Sequence, residues 1–306
     1  MSFITVISSK GGSGKSTTVM GLGLWASKLR PNQNVLLIDG DLVVNTIQFK
    51  MCRKPKATLA DVLQKFSSLE DALHQCDLVN PDTGKALYPN LGILPAAKRR
   101  RGQKRRESFL PPMHGSRYSS VMQVARQFDD MKDELRRTFS LVFVDTPATR
   151  GMEHMFLAGL GDGVIYVTDP ADESIEATMG TASDLERMLG AQTIGVVLNR
   201  LSPAQKKQEW VKKASEIAPV LGVVPKDDLV DDAFARNIPV VAEDENSPAS
   251  QAFKEITLKL LDAKIKPSEK IAPRLESVFW GLAESLKSES DANREIAEKL
   301  WFQEKK

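Results

Sequence analysis

Cysteine and histidine are scarce in this sequence of 306 residues, which contains two cysteines and three histidines. Cys52 and Cys76 lie far apart and in no Cys-x-x-Cys pattern, and the histidines are scattered. Residue types that build a structural zinc site therefore do not occur together. The sequence indicates a protein of the reducing cytosol without a zinc centre.

Long hydrophobic runs are also lacking, because no stretch approaches 18 consecutive apolar residues. We therefore expect no transmembrane helix. The first apolar run begins at Phe3 and leads directly into a glycine-rich loop, so we expect no signal peptide. The net charge of +2, with 42% hydrophobic and 27% charged residues, is typical of a soluble globular protein.

A glycine-rich segment at residues 9–17, SKGGSGKST, has the setting of a phosphate-binding loop. It lies between an apolar run, Phe3–Ile7, and a helix-periodic run, Thr18–Leu29. Glycines let backbone N–H groups surround phosphate oxygens, and the helix N-terminus adds partial positive charge. We expect Lys15 to reach the β- and γ-phosphates and the Ser16 hydroxyl to bind Mg²⁺. The candidate nucleotide-binding residues of the loop are Gly11, Gly12, Ser13, Gly14, Lys15, Ser16 and Thr17.

The loop departs from the ordinary pattern because Ser9 replaces the first glycine and a second lysine, Lys10, follows it. This arrangement resembles the deviant Walker A signature of the ParA/MinD family of P-loop ATPases. The resemblance implies an α/β fold, a doubly wound and mostly parallel sheet flanked by helices. It also implies a Mg²⁺-dependent ATPase whose dimer encloses ATP, with Lys10 reaching the nucleotide of the partner. Lys10 and Lys15 are therefore candidate catalytic residues.

Two aspartates follow the next apolar run, Val35–Ile38, which is typical of a buried parallel strand. Carboxylates at the carboxyl end of a central strand face the ligand crevice of an open α/β sheet. The resemblance implies that this segment is switch I, with Asp41 as the catalytic residue that orients the attacking water. Asp39 is a candidate Mg²⁺ ligand. The alternative is that both aspartates only cap a helix.

A second strand-end carboxylate, Asp145, follows the apolar run Leu141–Val144. An aspartate in this position is the Walker B arrangement and is expected to hold Mg²⁺, together with Ser16 and Asp39. The sequence Thr-Pro-Ala at 146–148 resembles the switch II segment of the family. A capping role is the alternative interpretation.

Two later segments resemble the parts of the family that contact the nucleotide base. The predicted strand Thr193–Leu198 ends at Asn199 and Arg200, and the resemblance implies that Asn199 contacts the adenine edge. The run Val220–Val224 leads into a Pro-Lys-Asp sequence that resembles the loop placed against the base. The candidate base-side residues are Asn199, Arg200, Pro225 and Asp227.

A strongly basic stretch at 98–106 has seven cationic residues among nine and is followed by prolines and glycine. It is expected to be a loop whose charges are solvated or paired with anions. Without interleaved aromatic residues, the pattern favours contact with the nucleic-acid backbone rather than base readout. A solvated loop without a partner is the alternative. The candidate contacts are Lys98, Arg99, Arg100, Arg101, Lys104, Arg105 and Arg106.

The C-terminal part of the sequence changes character after a predicted helix, Ala249–Leu261. We predict an ATPase domain over residues 1–263, with the basic insertion at about 97–117. Residues 264–306 are expected to form a polar linker and a helical extension. A membrane-binding helix should have a basic polar face. Residues 274–306 contain six lysines and arginines against seven acidic residues, so membrane affinity is not favoured.

The resemblance implies a ParA-like ATPase that segregates plasmid or chromosomal DNA. Its expected cofactors are ATP and Mg²⁺. Its expected partners are a second copy, nonspecific DNA and a stimulating ParB-like protein, in cytoplasm at the nucleoid. The alternatives are a MinD-like positioning ATPase at a membrane or polar complex, an iron–sulfur relative, and a binding module without turnover. Cys52 and Cys76 lack the glycine-flanked setting of the iron–sulfur relatives.

Overall fold

The computed structural model describes residues 1–42, 44–97, 117–147 and 152–277 of the chain. Within these ranges, an eight-stranded sheet is flanked by helices on both faces. The strands are β1 (Ser2–Ile7), β2 (Val35–Ile38), β3 (His74–Gln75), β4 (Leu91–Leu94), β5 (Leu141–Asp145), β6 (Gly163–Thr168), β7 (Thr193–Leu201) and β8 (Val220–Pro225).

The helices lie mostly between consecutive strands, as expected for parallel crossovers. They are α1 (Lys15–Leu29), α2 (Thr46–Met51), α3 (Leu59–Leu63), α4 (Leu69–Ala72), α5 (Arg117–Thr138), α6 (Met152–Leu160), α7 (Asp172–Leu189), α8 (Lys207–Ala214), α9 (Asp228–Ala235), α10 (Val240–Glu243), α11 (Pro248–Asp262) and a helical segment α12 at 271–277.

The strand order is β3-β4-β2-β5-β1-β6-β7-β8, and all neighbouring strands are parallel except β3 and β4. The predicted doubly wound, mostly parallel α/β fold is confirmed. Because β1 lies between β5 and β6, the loop after β1 lies beside the carboxyl ends of both strands. Ligands of open α/β sheets bind at this edge.

The central strands are apolar on both faces because each face packs against helices. Leu36 and Ile38 of β2 belong to one hydrophobic core, and Val35 and Leu37 belong to the other. Alternating side chains of a strand point to opposite faces, so the continuous apolar run supplies both cores. This explains why β2 could be recognised from only four residues.

Helices α1 and α11 pack closely on one face of the sheet. The indole of Trp25 donates a hydrogen bond of 2.8 Å to the carbonyl of Ser250. A Cβ atom at Gly21 would lie 2.6 Å from the ring of Phe253, so glycine is needed for this close approach. The contact fixes α1, and with it the phosphate loop that precedes α1.

The segment after α11 is anchored at the edge of the sheet where β1 and β6 begin. The buried carboxylate of Asp162 accepts hydrogen bonds from the backbone N–H groups of Phe3 and Ser268, both at 2.9 Å. Asp129 accepts from the N–H groups of Ile271 and Ala272, at 2.6 and 2.9 Å. These bonds satisfy donors in the first turn of α12.

Two elements differ from the sequence prediction. The strand predicted to end at Leu198 continues to Leu201, and its pairing with β8 shifts register after Leu198. Arg200 adopts the left-handed conformation, with φ of 59°. The helical segment α12 begins at residue 271, seven residues into the predicted linker and helical extension at 264–306. The domain division itself stays a prediction.

Candidate functional site

The loop after β1 and the first turn of α1 form a cavity of about 390 Å³. Two loop glycines, Gly12 and Gly14, have φ of 79° and 90°, a region that other residues rarely adopt. The sequence-predicted residues that line the cavity are Gly11, Gly12, Gly14, Lys15, Ser16, Thr17, Asp41 and Arg200. The structure therefore brings most of the predicted nucleotide-binding residues together around one space.

Lys15 lies inside the loop with only 7% of its surface exposed. Its ammonium donates a hydrogen bond of 2.9 Å to the hydroxyl of Ser8, which in turn donates to the carbonyl of Lys10 at 2.8 Å. Burial lowers the pKa of Lys15, while Asp145 and Asp41 act to raise the pKa. Ser8 was not predicted as a site residue, although it adjoins the predicted motif.

Two buried carboxylates lie at the ends of the neighbouring strands β2 and β5. Burial, and then the charge of Asp145, raise the pKa of Asp39 to about 8. Burial raises the pKa of Asp145 to about 6, and the hydrogen bond from Ser16 opposes this rise. The hydroxyl of Ser16 donates to one oxygen of Asp145 at 2.5 Å. Burial therefore favours the protonated forms of both carboxyl groups in the apo protein.

The chemistry of these donors fits Mg²⁺. The Oδ1 atom of Asp145 is buried and has no hydrogen-bond partner, although buried polar atoms normally have one. In the described ranges, no three His, Cys, Asp or Glu side chains group closely enough to hold a metal by themselves. Mg²⁺ prefers one or two carboxylates with waters and substrate phosphates, which matches this set.

Asp41 lines the cavity, as the switch I interpretation requires. Its carboxylate accepts a hydrogen bond of 3.0 Å from the N–H of Val44, and its own N–H donates to Asp39 at 3.1 Å. Asp39 also accepts from the N–H of Gln48 at 3.1 Å. The two aspartates thus order the turn after β2 and the start of α2 beside the cavity.

Asn199 and Arg200 reach the phosphate loop from β7. The amide of Asn199 donates to the carbonyl of Ser13, and the guanidinium of Arg200 donates to the carbonyl of Gly12, both at 2.7 Å. A Cβ atom at Gly14 would lie 2.2 Å from the amide nitrogen of Asn199. The pair therefore supports the loop directly, and a contact of Asn199 with a base stays a prediction.

The remaining predicted residues have other positions. Asp227 caps α9 by accepting from the N–H of Leu229 and also accepts from the N–H of Ala249, both at 3.1 Å. Neither Pro225 nor Asp227 is among the residues that line the cavity. The basic stretch at 98–106 lies outside the described residues.

Five further residues that sequence reasoning did not single out line the same cavity. They come from the switch I segment and from α9: Val44, Thr46, Val230, Asp231 and Phe234. Phe234 keeps 47% of its surface exposed. A lone aromatic in a short helix carries no sequence motif, so only the tertiary structure places it here.

A model of the CobQ/CobB/MinD/ParA nucleotide binding domain family matches residues 4–240. The chain belongs to this family. It is accordingly a P-loop ATPase of the ParA/MinD type, and ATP and Mg²⁺ are the cofactors of the family. The resemblance found in the phosphate loop is thus confirmed by a match that spans most of the chain.

The matches to individual relatives cover most of this chain and most of each relative. An uncharacterized ATP-binding protein of Methanocaldococcus jannaschii is 30% identical over 265 residues, covering 85% of this chain and 88% of the relative. The septum site-determining protein MinD of Synechocystis is 28% identical over 273 residues, covering 84% and 88%. The structure of MinD with Mg-ADP from Pyrococcus horikoshii has a TM-score of 0.68 at 23% identity, covering 85% and 96%. The last comparison supports the fold.

No helix in the described ranges combines the length and the apolar character that crossing a membrane requires.

Proposed function

We propose that this chain is a ParA-like, nucleotide-switched ATPase that positions or segregates DNA. ATP with Mg²⁺ joins two copies into a closed dimer, the dimer binds DNA without sequence preference, and a stimulating ParB-like protein triggers hydrolysis and release. The expected location is the cytoplasm, at the nucleoid. The chemistry rests on the family, and the dimer, the DNA and the adaptor are the proposed parts.

The contrast between the two lysines of the phosphate loop carries the proposal. Lys15 is buried and bonded to Ser8 inside its own loop, whereas Lys10 is exposed at the surface. The cavity of one chain already has its cation, so Lys10 is available to a phosphate group outside that cavity. A second copy facing the loop would supply such a group.

The positions of the side chains at the cavity support a role in hydrolysis for each of them. We assign Lys15 to the phosphate oxygens, and Ser16, Asp39 and Asp145 to Mg²⁺. Bound Mg²⁺ would neutralise charge on the phosphate oxygens. Asp41 lines the cavity and is assigned to orienting the attacking water.

The DNA part of the proposal rests on the seven cationic residues at 98–106. Such a cluster attracts a polyanion even when the net charge of the protein is only +2. A dimer presents the cluster twice, so dimerisation would convert two weak contacts into one bivalent contact. Nucleotide state and DNA affinity are then coupled through the dimer alone.

The test separates dimerisation from DNA binding. Lys10→Ala should abolish the dimer formed with a non-hydrolysable ATP analogue and Mg²⁺, measured by sedimentation, while the monomer still binds the analogue. Lys85→Ala, an exposed lysine in a surface loop, is the control. If Lys10→Ala dimerises as the wild type does, Lys10 does not act across an interface.

A second set of variants tests the DNA. Replacing Arg99, Arg100, Arg101, Arg105 and Arg106 with alanine should keep the dimer but abolish analogue-dependent binding to duplex DNA. In the wild type, each neutralised phosphate should add roughly 0.9 to the slope of log affinity against log salt. Unchanged DNA affinity and slope in the variant would show that the basic stretch is only a solvated loop.

A MinD-like function at a membrane or a polar protein complex is the second candidate. The 28% identity to MinD of Synechocystis over most of both chains favours it. The near balance of acidic and basic residues in 274–306 is against membrane affinity. Sedimentation with anionic vesicles in the presence of ATP distinguishes the candidates, because a DNA-positioning ATPase should not bind the vesicles.

A further inference from the structure

A buried lysine connects α2 and α9, two helices that contribute residues to the cavity lining. Lys50 of α2 is only 2% exposed. Its ammonium donates a hydrogen bond of 2.7 Å to the carbonyl of Phe234 in α9 and lies 3.6 Å from the centroid of the Phe234 ring. One residue therefore holds both the backbone and the aromatic ring of its partner.

The environment of Lys50 is unusual for a lysine. Among the described residues, no carboxylate forms an ion pair with its ammonium. Burial lowers the pKa of Lys50 to about 8. A buried cation is costly unless it is paired or bonded, and here one carbonyl and one aromatic face are its contacts. An apolar residue would fill the space without that cost, so packing alone does not explain a lysine here.

The two ends of this contact belong to the two sides of the cavity. Thr46 at the start of α2 lines the cavity, and the N–H of Gln48 binds the carboxylate of Asp39. Phe234 lines the cavity from α9 and keeps 47% of its surface exposed. The same ring therefore contacts a buried ammonium group and also lines the cavity.

We propose that Phe234 is a contact for the base of the bound nucleotide and that Lys50 is the positioning residue that connects this contact to helix α2. The phosphate loop supplies the polar part of the cavity lining, and the ring supplies a flat apolar surface suited to a purine. Helix α2 also contains Gln48, whose N–H binds Asp39, so loss of the base contact would make the position of Asp39 less fixed. The proposal rests on the proposed function and adds the residue that contacts the base of the bound nucleotide.

The experiment compares two probes, a non-hydrolysable ATP analogue and inorganic tripolyphosphate, by calorimetry in the presence of Mg²⁺. Phe234→Ala should weaken binding of the analogue by about tenfold, the range of one lost base–aromatic contact, and should leave tripolyphosphate affinity unchanged. Phe234→Trp should retain affinity for the analogue. Phe234→Leu keeps most of the volume without the ring and should behave like Phe234→Ala.

The role of Lys50 is tested by a double-mutant cycle. Lys50→Met should weaken analogue binding several-fold in the wild-type background and have no further effect when Phe234 is alanine, because the two side chains act as one unit. Lys54→Met, an exposed lysine just after α2, is the matched control and should bind as the wild type does. Additive effects would overturn the positioning role.

Two outcomes separate this proposal from the proposed function. Equal loss of tripolyphosphate affinity in Phe234→Ala, or full analogue affinity in Phe234→Leu, would overturn the base contact even if the wild type dimerises and binds DNA. A wild type that fails to dimerise with nucleotide would overturn the proposed switch. It would leave the base contact standing, because the Phe234 variants are compared with the wild type whatever its oligomeric state.

Discussion

Asp39 has a raised pKa in the protein without ligand, because its carboxyl group is buried beside another carboxylate. Its carboxyl group is fully buried beside Asp145, and its pKa of about 8 means that the folded apo protein holds a proton there at neutral pH. In the unfolded chain the same group would ionise at its ordinary pKa, near 3.8. The difference makes the stability of the apo protein depend on pH.

The predicted dependence has a definite sign. Between pH 4 and 8 the folded state binds more protons at Asp39 than the unfolded state, so this residue's contribution to stability falls as pH rises and is lost above 8. Asp39→Asn cannot ionise. We expect the melting temperature of Asp39→Asn minus that of the wild type to increase from pH 4 to 9, without nucleotide and Mg²⁺. Asp82→Asn, at an exposed loop position, should show a constant difference.

At the scale of elements, the sequence was sufficient where one physical cause dominates. The apolar runs of β2 and β5 predicted buried strands that end in aspartates, and the glycine pattern predicted the loop before α1. Helix α2 was not predicted because its buried positions include polar residues, among them Gln48 and Lys50, which break the apolar period. Helix α2 is stabilised by a tertiary contact, because Lys50 donates a hydrogen bond to α9.

The same reasoning explains what could not be predicted about the cavity. The sequence identifies Asn199 and Arg200 as site residues, but their hydrogen bonds to the phosphate loop join residues 186 and 188 positions apart, which no local pattern predicts. Phe234 is one of several apolar residues in α9, and only the fold decides that it faces the cavity. Sequence motifs identify the residues that carry the chemistry, whereas the other cavity-lining residues and the hydrogen bonds that hold the loop follow from tertiary packing.

The junction between the phosphate loop and β7 leads to an element-scale prediction. Gly14→Ala places a methyl group 2.2 Å from the amide of Asn199 at φ of 90°, so both the loop and its support are displaced. We expect loss of nucleotide binding and destabilisation of about 1–3 kcal/mol, measured by calorimetry and chemical unfolding. Gly180→Ala in α7 has no neighbour within 4 Å and should stabilise by up to about 1 kcal/mol. Nucleotide binding by Gly14→Ala at wild-type strength would contradict the assigned contact.

At the scale of the whole molecule, the nucleotide cavity and the segment at 264–277 lie at opposite ends of the strands of one sheet. The cavity forms where β1 and β5 end, whereas Asp162 joins the start of β1 to Ser268. Arg274 adds hydrogen bonds to the carbonyls of Leu189 and Gly159, at the ends of α7 and α6. Docking of this segment should therefore be separable from nucleotide chemistry.

Asp129 tests that separation, because its carboxylate is buried and caps two N–H groups of α12. Asp129→Ala should lower the free energy of unfolding by about 1–2 kcal/mol, as expected for a lost helix cap. It should also speed tryptic cleavage after Lys270, which is exposed, while ATP affinity stays unchanged. Asp133→Ala removes an exposed ion pair with Lys270 and should cost less than about 1 kcal/mol. Equal effects of the two variants would show that the cap does not hold the segment.

The central position of β1 has a consequence for how the chain is made. Strand β1 is synthesised before both of its neighbours, so one edge stays uncovered until β5 has been made and the other until β6 has been made. At roughly 5–20 residues per second, both edges of this apolar strand stay open for about 7–30 s before β5 is complete. Unpaired apolar edges recruit other chains. Synthesis of this protein should therefore be sensitive to the supply of chaperones that shield nascent strands, and expression at lower temperature should favour folding over aggregation.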